Sequence, residues 1–147
     1  MNINSSFKIQ NVRSLNLSSG IHITRKKIDA LTHESDDIIF IINTQVGKQK
    51  KVVEKEFLTC KNGPYMTYFN SNSSRAAGVG IAIKLTSDIQ VLDSERDTED
   101  RILILKTMTG NELLALVAFK NNDNHLNRIE RFLKQIDATQ GIIIGGD

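Results

Sequence analysis

The sequence predicts an α/β fold in which helices cover β-sheet on both faces, and three observations carry that expectation. Asp37-Ile38-Ile39-Phe40-Ile41-Ile42 sets five apolar residues in a row, mostly β-branched, as a strand buried on both faces reads. From Tyr65 to Phe119 the text is β-like almost throughout, broken only by short polar or glycine punctuation. Over 124–136, Leu126, Ile129, Phe132, Leu133 and Ile136 recur at helical spacing, with Asn127, Arg128, Arg131 and Lys134 on the other side. Such a helix can cover a sheet.

The elements follow in order. Residues 7–12 form a short candidate strand, and the polar stretch 16–20 turns the chain into a helix at about 21–34. Ile21, Ile28 and Leu31 give that helix only a thin apolar face. After the buried strand, 43–64 is polar and Lys-rich, with Val52, Val53, Phe57 and Leu58 as anchors, and reads as a loop carrying a short helix. Beyond Pro64, the single proline, strands are expected over 65–69, 78–84, 89–92, 102–106 and 113–119. Their short links predict an antiparallel meander. The acidic run 93–100, punctuated by Arg96, reads as a hairpin loop kept soluble by charge; it lacks the glycine and glutamate of a calcium loop. Asp123 is placed to cap the helix over 124–136. A break at Gly141 precedes a terminal strand that delivers Gly145-Gly146-Asp147.

At 147 residues the chain is expected to form one domain. Lys and Arg outnumber Asp and Glu by 19 to 17, a balance too even to argue for a nucleic-acid or membrane partner. The lone Cys60 excludes an internal disulfide, and His22, His33 and His125 have no zinc-like spacing. The N-terminus is polar and no window is apolar enough to span a bilayer. A soluble intracellular chain with no membrane partner is expected, with nucleus and cytoplasm equally open.

Ligands and chemistry gather at the ends of parallel strands in α/β proteins. An aspartate after a Gly-Gly turn would open an active-site loop, yet no loop follows Asp147 in this sequence. A partial domain spanning 1–147 is therefore expected.

Several segments, in order along nearly the whole chain, resemble the endonuclease/exonuclease/phosphatase superfamily, and most of all the endonuclease domain of LINE-type (non-LTR) retrotransposons. Asn11-Val12-Arg13-Ser14-Leu15-Asn16 is similar to the first strand with its catalytic Asn, and Asp37 through Thr44 to the strand that ends in Gln-Glu-Thr. Ser74-Arg75-Ala76-Ala77-Gly78-Val79-Gly80-Ile81 resembles the Gly-Val-Gly-Ile segment, and Asp100-Arg101-Ile102-Leu103-Ile104 the following Arg-Ile strand. Residues 116–122 stand where the family has a Tyr-x-Pro-Asn loop, and Gly145-Gly146-Asp147 where it has Gly-Asp-Phe-Asn.

The resemblance implies a four-layered α/β sandwich, of which this chain holds the N-terminal part, and Mg²⁺-assisted hydrolysis of DNA phosphodiesters. That chemistry needs a carboxylate for the hard cation, a group that activates water, and donors for the phosphoryl oxygens. The resemblance puts Asn11, Asn122, Asp147 and Phe119 (in place of Tyr) at catalytic positions, with Asn11 and Asn43 (in place of Glu) at the metal. Asn43 keeps an oxygen and loses the charge that attracts Mg²⁺. Phe119 keeps the ring and loses the hydroxyl, and Asn121 replaces the loop's proline. The family's later Asp and Asp-His elements lie beyond this sequence. Loss of activity is the expectation, because such groups act as a unit.

Three other readings stay open. Arg25-Lys26-Lys27 and Lys48, Lys50 and Lys51 read first as a solvated face and second as contacts to a phosphate backbone, which would make the chain a noncatalytic nucleic-acid- or protein-binding domain. A site completed by a second chain is the third. A half sandwich would also leave strands such as 102–106 poorly covered and favour self-association.

Overall fold

The computed structural model describes residues 11–16, 25–42, 44, 50–70, 78–98, 101–120 and 141–146. In chain order these form β1 (Val12–Asn16), α1 (Arg25–Leu31), β2 (Ile38–Ile42), α2 (Lys50–Thr59), β3 (Tyr65–Asn70), β4 (Val79–Lys84), β5 (Ile89–Arg96), β6 (Ile102–Thr109), β7 (Glu112–Phe119) and β8 (Gly141–Gly146). Among the described residues the strands make two four-stranded sheets, ordered β1-β2-β4-β3 and β5-β6-β7-β8.

The sheets stack face to face. Period-two alternation in β2 decides which side chain enters which layer. Ile39 and Ile41 join Ile28 of α1 and Val53 and Phe57 of α2 on the outer, helical side of the first sheet. Ile38, Phe40 and Ile42 face inward and pack with Val79, Ile81, Leu103, Leu105, Leu114 and Leu116 between the sheets. A third buried group, Ile102, Ile104, Ala115 and Val117, lies on the far side of the second sheet. The continuous apolar runs in β2, β6 and β7 thus belong to strands buried on both faces.

α2 buries Val53 and Phe57 one turn apart, and the Phe57 ring meets Tyr65 edge-on with centroids 6.3 Å apart. Tyr65 also ties down the end of the first sheet where β2 begins. Its hydroxyl donates to the carbonyls of Asp36 (3.0 Å) and His33 (3.3 Å), while the Asp36 carboxylate accepts from Arg13 Nε at 2.8 Å and the His33 amide at 2.9 Å.

Several expectations change. The first described strand is Val12–Asn16, whose residues pair in parallel with Ile38–Ile42; of the strand expected over 7–12, residues 7–10 lie outside the described residues. The helix expected over 21–34 is described over Arg25–Leu31. The meander is divided: β3 and β4 pair in the first sheet, while β5, β6 and β7 pair in the second. The acidic segment is not all loop. Asp93 to Arg96 continue β5 past a bulge between Val91 and Asp93, with Glu95 3.8 Å from Lys106 across the strand pair. The expected poor cover of 102–106 is also overturned, since Ile102 to Leu105 are fully buried. The helix over 124–136 and its Asp123 cap lie outside the described residues.

Candidate functional site at the shared sheet edge

Strand direction brings one end of each sheet together. β1 and β2 are parallel, β4 runs against β2, and β3 runs against β4. The C-terminal ends of β1, β2 and β3 therefore share an edge with the start of β4, at Asn16, Thr44, Asn70 and Gly78. In the second sheet β7 and β8 are parallel and β6 opposes β5 and β7. The ends of β5, β7 and β8 and the start of β6 form the matching edge, at Asp97, Arg101, Phe119, Lys120 and Gly146.

Asn70 joins the two edges. Its Nδ2 donates to Ile102 O (2.7 Å), Asp97 Oδ1 (2.8 Å) and Asp97 O (3.2 Å). Asp97 Oδ1 also accepts the backbone N–H groups of Arg101 (3.0 Å) and Ile102 (2.9 Å), closing the β5–β6 turn. Arg96 Nε donates to Phe69 O at 2.9 Å, a second link from that turn to β3. Ile102 pairs with Phe119, and the Lys120 amide donates to Arg101 O at 2.9 Å. Arg101 and Lys120 thus stand opposite one another, on the same side of the sheet as Leu103 and Ala118.

Across the interior, Leu15 packs on the helical side of the first sheet, so Asn16, next in β1 and exposed, faces the other way, toward the second sheet. Thr44 is buried; its amide donates to Gly78 O at 3.1 Å, and its Oγ1 has no hydrogen-bond partner among the described residues. Two glycines seat β8. A Cβ on Gly145 would lie 2.3 Å from the Phe40 ring, and one on Gly146 2.0 Å from Phe119 O. Gly146 also has φ of 136°, which L side chains rarely adopt. Gly-Gly before Asp147 is therefore a steric requirement for laying β8 against β2 and β7.

The residues singled out in the sequence fall unequally. Phe119 lies at the shared edge, with its ring packed on the far side of the second sheet. Asn11 precedes β1 at the opposite end, where its carbonyl accepts from the amides of Asp37 (3.0 Å) and Ile38 (3.3 Å). Five residue-to-residue steps, about 17 Å at 3.3–3.4 Å each, separate it from Asn16. Asn43, Asn122 and Asp147 lie outside the described residues, next in the chain to Ile42, near Lys120 and next to Gly146. Asn16, Thr44, Asn70 and Arg101 were not singled out. The rule that ligands gather at the C-terminal ends of parallel strands would have found Asn16, once β1 was bounded correctly.

The described donors at this edge do not suit Mg²⁺. Asn16, Thr44 and Asn70 offer neutral oxygens, and the Asp97 carboxylate is engaged through Oδ1 with three N–H donors. No group of three or more His, Cys, Asp or Glu side chains able to hold a metal occurs among the described residues. Cys60 packs on the helical side of the first sheet, and burial pushes its thiol up from its ordinary pKa, opposite to what an activated nucleophile needs.

No protein-family model and no curated protein matches the sequence. Solved structures do match. A humanized D. rerio TDP2 carrying 14 mutations superposes with a TM-score of 0.60 at 16% identity, over 91% of this chain and 60% of that one. An AP endonuclease from Archaeoglobus fulgidus gives 0.54 at 23% identity, over 92% of this chain and 55% of that one. D. rerio TDP2 complexed with a single-strand DNA product gives 0.50 at 16%, over 84% and 52%. The fold is thus that of the endonuclease/exonuclease/phosphatase superfamily, and the chain spans about half the length of the structures it matches. A shared fold fixes where a site lies more firmly than what it does. No described helix is long and apolar enough to cross a membrane.

Proposed function

We propose that this chain is a nuclease-type domain that engages the DNA phosphodiester backbone at the shared sheet edge, with hydrolysis weakened or lost. The observation that supports this best is the convergence of six strand ends from two sheets on one rim, which carries Asn16, Arg101 and Lys120 and where β2, β7 and β8 end one to three chain positions before Asn43, Asn122 and Asp147. The similarity of successive segments to LINE-type endonucleases supports a retrotransposon origin. The match to D. rerio TDP2 complexed with a single-strand DNA product agrees with a nucleic-acid substrate.

In this reading Arg101 and Lys120 neutralise phosphate charge, the sequence-independent source of affinity for nucleic acid. Asn16 supplies an amide at the phosphoryl group, and we assign to it the role that the resemblance alone gives to Asn11. Asp147 aligns or deprotonates the attacking water, and Asn122 donates to the phosphate. In the family's reaction water displaces the leaving oxygen in line at phosphorus; Mg²⁺ would supply charge neutralisation there, but the described donors at this edge do not suit it. With Asn43 where a metal-binding Glu is expected and Phe119 in place of Tyr, both Mg²⁺ affinity and one phosphate contact are reduced. Binding then outlasts chemistry, as in the alternative of a noncatalytic nucleic-acid-binding domain.

The test is nicking of supercoiled plasmid with and without Mg²⁺, beside Asn11→Ala, Asn16→Ala and Asp147→Ala, together with binding of a short DNA duplex. Salt-dependent binding without Mg²⁺-dependent nicking is expected. Nicking abolished by Asn16→Ala and Asp147→Ala would show that the site survives its substitutions; abolition by Asn11→Ala alone would move the site to the other end of β1. A folded chain that does not bind DNA would refute the reading.

A further inference from the structure

Resting on that reading of the rim, we propose that Asn70 is a positioning residue: a buried latch that holds the β5–β6 turn so that Arg101 meets a DNA phosphate. Asn70 is 0% exposed, at the end of β3, facing the second sheet. Its three Nδ2 neighbours, Ile102 O, Asp97 O and Asp97 Oδ1, are all acceptors, so the amide has one possible orientation, with nitrogen toward the turn. That orientation leaves its Oδ1 buried and without a hydrogen bond among the described residues. An apolar side chain would avoid that cost. The carboxamide therefore does something that packing alone does not.

What it does follows from its partners. Asp97 Oδ1 receives Asn70 Nδ2 and the amides of Arg101 and Ile102 together, so one oxygen fixes the backbone on both sides of the Arg101 Cα. The Arg101 carbonyl is fixed in turn by the Lys120 amide. Four backbone or side-chain bonds thus define where the guanidinium stem leaves the rim, while the side chain makes no ion pair among the described residues. A long flexible cation gains most at a phosphate when its anchor is held in advance. The latch spans the two sheets, so it also sets Arg101 relative to Asn16, which belongs to the other sheet.

The experiment is the salt dependence of binding to a short fluorescent DNA duplex, read as the slope of log K against log salt. Arg101→Ala should lower the slope by about 0.9, the loss of one phosphate contact. Asn70→Ala should lower it by the same amount, and the Asn70→Ala/Arg101→Ala double variant should fall no further, because both remove one contact. A merely structural Asn70 would lower thermal stability without this non-additive change of slope. Asp97→Asn keeps an oxygen for the same three donors and should retain the wild-type slope; Asp97→Ala should not. If Asn70→Ala does not fold, the contrast between those two Asp97 variants decides the matter. An unchanged slope in Asn70→Ala, an unchanged slope in Arg101→Ala, additive losses in the double variant, or equal slopes in Asp97→Asn and Asp97→Ala would each overturn the latch while leaving DNA binding standing. Absence of salt-dependent binding by the wild-type chain would remove the DNA reading itself.

Discussion

Tyr65 shows how one side chain secures the end of the molecule away from the candidate site. Its ring is buried against Phe57, and its hydroxyl serves two carbonyls that close the turn into β2. Tyr65→Phe keeps the ring and is expected to cost about 1 kcal/mol at neutral pH, the usual net value of such hydrogen bonds, measurable by urea unfolding. Burial first, then the negative charge of Asp36, raises the phenol well above its ordinary pKa. The folded state therefore holds the proton at a pH where the unfolded phenol has released it. That contribution is fully present below the unfolded value, about 10, and is lost as pH rises toward the higher folded value. Wild-type stability should fall above this point more steeply than that of Tyr65→Phe, and parallel curves would show that Tyr65 is not the group responsible. The same scale explains a limit of sequence reading. Asn11 and Asn16 are the same residue type in one segment, and only pairing of 12–16 with Ile38–Ile42 shows which one ends the strand.

At the scale of elements, the strands buried on both faces were legible because their uninterrupted apolar runs are too short for a buried helix and too apolar for an exposed loop. The acidic second half of β5 was not, because a strand at a sheet edge tolerates charges that local pattern assigns to a loop. The division of the meander between two sheets was hidden for a related reason: the turn between β4 and β5 looks locally like any hairpin link, and its sheet change is set by packing across the interior. β8 carries a prediction of its own. Gly145 meets the Phe40 ring so closely that a methyl group forces one of them to move. Gly145→Ala should cost about 1–3 kcal/mol, the range for overpacking. Combining it with Phe40→Ala should give less than the sum of the two single effects, since the second change opens the space that the first requires. Strict additivity in thermal or urea unfolding would mean that β8 is not seated on Phe40. The glycines before Asp147, legible in the sequence only as a turn, are thereby explained by the approach of β8 to its neighbours.

For the whole molecule the two outer strands of the second sheet set the expectation. β5 guards its edge with a bulge and with Asp93, Glu95 and Arg96, devices that discourage strand addition. β8, at the other edge, is uncharged throughout, as Gly-Ile-Ile-Ile-Gly-Gly. Its pleat sends Ile143 into the interior and leaves Ile142 and Ile144 exposed by 44% and 48%, on the side that Ala115 and Val117 share. Among the described residues this edge has no charge and no further strand beside it, and with two exposed isoleucines it favours addition of another strand; in a solution of the 147-residue chain alone the available strand is β8 of a second copy. Concentration-dependent dimers are expected in sedimentation, and Ile144→Lys should shift the population to monomer at the same concentration by placing a charge in the new contact. A wild-type chain that remains monomeric at every concentration would contradict this. Because such pairing extends the sheet sideways, whereas the candidate site lies across the strand ends, the dimer should bind duplex DNA as well as the Ile144→Lys monomer does; loss of binding on association would instead place the DNA contact on the flank of β8.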